Sequence, residues 1–204
     1  NGMGGNHGCA GVEHRNRPQA CLQRAQPHLG TIVSIGIRGM SRQDAAAAID
    51  AGFAAVAAVH RLMSFHQAGS DVDRINCHAL DAPVEVNPLT MRVMRCALRL
   101  AAASQGAFDV TVAGELVARG VLHRPRSERV AEPDCSWRDI ELIGEDQVRF
   151  HRPLWIDLGG IAKGFAVDHA LASMPLSPHA QVCVNAGGDL RVRGPLYGDR
   201  KSVV

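Results

Sequence analysis

Leu154-Trp155-Ile156-Asp157-Leu158-Gly159-Gly160-Ile161-Ala162-Lys163-Gly164 reads as a buried strand that runs into a glycine turn and leaves it as a helix reaching about Met174. A second turn of the same make-up follows, Asn185-Ala186-Gly187-Gly188-Asp189, set between the strand-like runs Val182 to Asn185 and Leu190 to Arg193. Glycines allow close backbone approach and positive φ, while Asp157, Lys163, Asn185 and Asp189 bring charge and hydrogen bonds to the same places. The first turn opens a helix, whose N-terminal amides favour an anion such as phosphate. It is neither a Walker loop nor the G-x-G-x-x-G dinucleotide fingerprint. A tight turn whose glycines only admit helix packing would use the same residues.

Working outward, residues 1–27 are polar, Gly- and Arg-bearing and without periodicity, and are expected to be a loosely held lead-in. Order is expected from His28, with an alternating strand over Leu29 to Ile37. Ser41 and Asp44 form an N-cap and acidic N3 pair ahead of an alanine-rich helix to about Met63. Asn87-Pro88 caps a second helix through about Ser104, with Met91, Met94, Leu98 and Ala101 on one face. Ala107 to Val112 alternates as a short strand would, and residues 114–139 read as a surface excursion. Ile140 to Ile143 and Val148 to Phe150 flank a polar turn and read as a hairpin. Helices interspersed with antiparallel pairs indicate an α+β fold, a mixed and largely antiparallel sheet flanked by helices, in one domain over residues 28–204.

Composition narrows the function. The chain has 204 residues, a net charge of +2 and 4% aromatic residues, too little charge and too few stacking rings for a nucleic-acid partner. The apolar run Ala45 to Val59 is shorter than the roughly 20 residues of a membrane helix. Six cysteines show no C-x-x-C pair, and the histidines lack metal-ligand spacing. Lys163 is one of only two lysines, the rest of the positive charge being arginine, so a compact ammonium sits in the most glycine-rich turn. Phe108 could cover an aromatic ligand with Asp109 accepting a hydrogen bond from it, although Phe in a strand is usually core and Asp after it a turn former. Met63, Phe65 and His66 admit the same two readings. Oxygen-rich turns suit a hard cation, and a nucleotide with Mg2+ is the ligand these residues fit best.

Taken together, Leu29-Gly30-Thr31, Met63-Ser64, Ser70-Asp71-Val72-Asp73-Arg74-Ile75-Asn76, Gly106-Ala107-Phe108-Asp109-Val110-Thr111, Asp157 to Gly164 and Asn185 to Asp189 resemble, in collinear order, the ApbE family of FAD:protein FMN transferases. The resemblance implies a T-fold-type α+β domain that moves FMN from FAD to a Thr or Ser hydroxyl of an acceptor flavoprotein, with AMP leaving. It places Leu29, His66, Ala107, Phe108, Asp109, Asp157 and Lys163 at FAD-contacting positions and gives Mg2+ the backbone carbonyl of Gly160. Family members often carry Met at position 29 and Tyr at position 66, and some carry an acid at position 163.

Full-length members continue for roughly a hundred residues beyond this point, with further segments that complete the metal site. The expectation is therefore a domain incomplete at its C-terminus, with weak or no transfer activity alone. Two alternatives stand beside transfer: an FAD-binding module without turnover, and a pyrophosphatase that gives FMN and AMP. By resemblance the protein works in the periplasm or at the cell-envelope side of the inner membrane. Residues 1–28 lack the apolar core of a signal peptide, so a cytoplasmic location stays open, and membrane association would need an upstream signal or lipid anchor.

Overall fold

Ser41 and Asn87 begin the two long helices as their sequence patterns predict. In the computed structural model, which describes residues 21–194, the Ser41 hydroxyl accepts the Asp44 N–H at 3.1 Å and starts α1 (Arg42–Met63). The Asn87 carboxamide accepts the Leu89 N–H at 2.9 Å and starts α3 (Pro88–Ala103). The expectations for residues 1–20, Cys9 included, and for residues 195–204 lie outside the described residues.

Strands β1 (Leu22–His28) and β2 (Thr31–Arg38) precede α1; α2 (Asp71–His78) and the two-residue β3 (Val84–Glu85) lie between α1 and α3. After α3 come α4 (Ala113–Ala118), β4 (Ile140–Ile143), β5 (Gln147–Phe150), α5 (Gly159–Ser173), β6 (Gln181–Ala186) and β7 (Asp189–Arg193). The strands form two antiparallel sheets, ordered β1-β2-β6-β7 and β3-β5-β4. The α+β expectation holds.

Each sheet has its own core. Val33, Ile35 and Ile37 alternate inward from β2 and meet Val182 and Val184 of β6, Ile49 and Val56 of α1, and Val167 of α5. The second core gathers Val59 and Met63 from the end of α1 with Val72, Ile75, Met91, Met94, Val148, Phe150, Ile156 and Leu158. Full burial of each such side chain stabilises by about 1.5–3 kcal/mol. At 22 residues, α1 has the length and apolarity of a membrane span, but Ala48, Ile49, Val56 and Val59 are buried inside the domain. Gly52 lets α1 settle on the sheet: a Cβ there would lie 2.9 Å from Ile35 Cδ1 and would also strike Met174.

Three expectations are corrected. Residues 22–27, assigned to the lead-in, form most of β1, which pairs with β2 from Leu22 to His28. As an edge strand, β1 exposes Gln23 through Pro27, so its polar composition hid it. Ala107 to Val112 is not a strand, because the Asp109 carboxylate accepts the Thr111 N–H at 2.9 Å and turns Val110–Val112 into a 3-10 helix. Leu154 to Asp157 is buried as expected through Ile156 but joins no ladder. Its pairing partner is a side chain, that of Asn76. The excursion expected over residues 114–139 carries the end of α4 and a 3-10 helix at Trp137–Asp139, and is irregular between them.

Candidate functional site

The β1–β2 hairpin turns through only two residues, Leu29 at φ 54° and Gly30 at φ 71°. Such a turn needs left-handed backbone at both positions, which glycine adopts freely and leucine does not. Leucine in that conformation costs on the order of 1–2 kcal/mol. The side chain is held by packing against both cores. The Leu29 N–H also points at His60 Nδ1, 3.5 Å away.

Leu29 is one wall of a cleft of about 480 Å³. The end of α1 and the loop after it contribute His60, Met63, Ser64, Phe65 and His66; Leu122 comes from the irregular segment; Asp157, Gly159, Ala162 and Lys163 form the floor at the start of α5. Four of the sequence-predicted residues, Leu29, His66, Asp157 and Lys163, thus meet in one place. His66 packs edge-on to Phe65, with ring centroids 5.4 Å apart, and to His123 at 6.0 Å.

The start of α5 explains the glycines. Asp157 Oδ1 accepts the Gly159 N–H at 3.0 Å, folding the chain into the helix, and Lys163 Nζ donates to the Gly159 carbonyl at 3.2 Å. The ammonium is thereby held on the first turn, where the helix dipole is positive. A Cβ on Gly159 would come within 3.0 Å of Asp157 Oδ2, and one on Gly160 within 3.4 Å of Phe108 Cε2. Phe108 therefore lies against the first turn of α5 beside Gly160.

Ala107 is exposed on the same loop. Asp109, the expected ligand acceptor, is hydrogen-bonded within the protein. Its Oδ1 accepts the Thr111 N–H and hydroxyl at 2.9 and 2.8 Å, and its Oδ2 accepts the Trp137 N–H at 3.1 Å. Both oxygens are engaged by the protein, and Asp109 borders a second cavity of about 540 Å³ with Glu115, Glu132 and Cys135.

The second glycine turn closes a hairpin. Asn185 Oδ1 accepts the Gly188 N–H at 3.0 Å, and Gly187 and Gly188 take φ of 61° and 108°. Asn185 and Asp189 contribute nothing to the walls of the cleft.

The Ser70–Asn76 motif underpins the cleft from behind. Ser70 Oγ accepts the Asp73 N–H at 3.0 Å and donates to the Ser64 carbonyl at 2.7 Å, tying the His66 loop to α2. Buried Asp71 accepts from Arg74, the Asn87 N–H and the Thr90 hydroxyl at 2.5–2.9 Å. Asp73 accepts the Gly69 N–H at 2.8 Å and Arg126 Nη2 at 2.6 Å. Burial alone would raise the Asp73 carboxyl, but the Arg126 guanidinium, the Gly69 N–H and nearby positive charge hold it below the usual carboxylate range. Burial pushes the Cys77 and Cys135 thiols up, so neither is an activated nucleophile. Burial and the neighbouring His60 lower the pKa of His28. Sequence reasoning passed over His60, Leu122 and the structural role of Asn76. Of these only Asn76 left a signal, as part of the quoted motif.

The model of the ApbE family matches residues 29–203. An FAD:protein FMN transferase of Haemophilus influenzae is 28% identical over 149 residues, which cover 67% of this chain and 43% of that protein. Its counterpart from Vibrio cholerae is 31% identical over 145 residues, with the same coverage of 67% and 43%. The crystal structure of the ApbE protein from Thermotoga maritima aligns with a TM-score of 0.76 at 27% identity, over 88% of this chain and 61% of that one. The chain thus spans less than half the length of these two curated relatives.

Proposed function

The chain belongs to the ApbE family, and from that premise we propose that its cleft binds FAD and serves the transfer of FMN to a Thr or Ser hydroxyl of an acceptor flavoprotein. In that reaction the hydroxyl oxygen forms a bond to the flavin-side phosphorus, the bridging P–O bond breaks, AMP departs with the electron pair and the hydroxyl proton is lost. The names of the relatives support the flavin chemistry. The observation that carries the reading here is the meeting of Leu29 and His66 with Asp157 and Lys163 in one cleft.

Each wall suits a different part of FAD. Leu29, Phe65 and His66 offer apolar and aromatic surface to a flat ring, while Lys163 and the first amides of α5 suit the pyrophosphate. Fixed donors of this kind favour the charge that grows on the bridging and leaving oxygens as the bond breaks.

Among the described residues, no three His, Cys, Asp or Glu side chains gather as metal ligands. The donors are the Asp157 carboxylate, which lines the cleft, and, on the resemblance alone, the carbonyl of Gly160 in the first turn of α5. These fit a Mg2+ that takes most of its remaining ligands from nucleotide phosphates and water, as this ion often does. When bound, the ion would neutralise phosphate charge.

The test begins with FAD titration, followed by flavin fluorescence. Quenching with a Kd in the micromolar range is expected. No retention of FAD at high micromolar concentration would overturn the reading. Incubation with FAD, Mg2+ and an acceptor domain then distinguishes the reactions. Flavin fluorescence on the denatured acceptor means transfer; free FMN and AMP mean hydrolysis; intact FAD means binding alone.

A further inference from the structure

Asn76 lies within α2 and is 5% exposed. A carboxamide buried to that degree is costly unless its donors and acceptor are met. Both its polar atoms turn to one residue 80 positions away: Oδ1 accepts the Ile156 N–H at 2.8 Å and Nδ2 donates to the Ile156 carbonyl at 3.0 Å. This double exchange is what a hydrogen-bonded pair makes in an antiparallel ladder. One side chain stands in for a neighbouring strand.

The residue so fixed immediately precedes Asp157. The Asp157 N–H in turn donates to the Val110 carbonyl at 2.9 Å, and Val110 follows Asp109, whose carboxylate is bound to Thr111 and Trp137. A continuous run of short hydrogen bonds therefore leads from α2 through Ile156 and Asp157 to the Phe108–Asp109 loop. It sets two surfaces at once: Asp157 at the start of α5, and the Phe108 ring beside Gly160.

We propose that Asn76 is a positioning residue of the FAD site, touching no ligand itself and acting through Ile156 on Asp157 and through Val110 on Phe108. The inference rests on the FAD reading above. In Asn76→Asp, an ionised carboxylate still accepts the Ile156 N–H but turns a second acceptor toward the Ile156 carbonyl. A protonated one regains a donor and matches the carboxamide in shape. Burial raises the pKa of such an acid, so the exchange of states falls within reach of mild pH.

The experiment compares FAD affinity of Asn76→Asp with that of the unaltered protein at each pH, with near-UV circular dichroism showing both folded. The ratio is expected to show about a tenfold loss near pH 8 and to return to within about threefold near pH 5.5. A role in stability alone would lower Tm and leave the ratio flat across pH, which would overturn the proposal.

Amide hydrogen exchange on the unaltered protein tests the Asn76–Ile156 bracket on which the proposal stands, even where the variant does not fold. The Ile156 and Asp157 amides are expected to be as protected as Val184 in its ladder. Exchange as fast as in the exposed segment after α4 would overturn the bracket. Failure of the unaltered protein to bind FAD would overturn the functional reading instead, and the exchange result would stand apart from it.

Discussion

Asp157–Gly164 and Asn185–Asp189 are built from the same residue types and fold to opposite ends. In the second, glycine supplies backbone conformation: Gly187 and Gly188 take positive φ, and Asn185 closes the turn on itself. In the first, Gly159 and Gly160 are helical, and what they supply is space, for Asp157 on one side and Phe108 on the other. Glycine used for conformation makes a turn. Glycine used for space, at a helix start with a lysine one turn on, makes the floor of a cleft.

Substitution should separate the two. The largest effect is expected at Gly187, where alanine would combine left-handed backbone with a Cβ 2.7 Å from Thr31 Oγ1. A loss of about 2–4 kcal/mol is expected in denaturant unfolding, with FAD affinity of the folded fraction unchanged. An altered affinity would break the distinction by making the hairpin part of the site.

Lys163→Met should do the reverse, leaving Tm nearly unchanged and weakening FAD binding about tenfold. That difference should shrink as salt is added, because the exposed ammonium is screened. Asp189→Asn, made for comparison in a titration of the same kind, should change neither quantity.

Acid gives a third contrast. The Asp73 carboxyl, held low by Arg126, adds stability that is complete above its unfolded pKa of about 3.9 and fades as pH falls through its lower folded value. Thermal scans should show Tm falling below about pH 4, with part of the slope missing in Asp73→Asn. The Asn185 turn is closed by a carboxamide accepting the Gly188 N–H, so a Gly188→Asn variant should keep the full slope. The smallest effect belongs to Gly160→Ala: helix propensity should raise stability by up to about 1 kcal/mol. FAD binding should weaken several-fold as the methyl crowds the ledge beside Phe108. Unchanged binding would remove Gly160 from the site.

How much of this was written in the sequence follows from how local each interaction is. Ser41 with Asp44, and Asn87 with Pro88, announce α1 and α3 because a cap and the amide it binds lie within three residues. β1 was missed because an edge strand with exposed side chains has no apolar alternation. The chain before Asp157 looked like a strand because it is buried and apolar, and nothing local says that its partner is the side chain of Asn76. Leu29, His66, Asp157 and Lys163 became candidates by resemblance to a family, and the fold brings them together. Asp109 was assigned to ligand, and its oxygens also bind Thr111 and Trp137, partners that appear only once the loop has folded.

The helix α1 is shared property: its first turns, through Val56, complete the core under the four-stranded sheet, and Val59 and Met63 complete the other. Melting of either core would strip part of this helix of its packing, so the two sheets are expected to unfold together. The two sheets are therefore one thermodynamic unit, and the cleft, whose Leu29 packs on both, opens only at the cost of disturbing that unit.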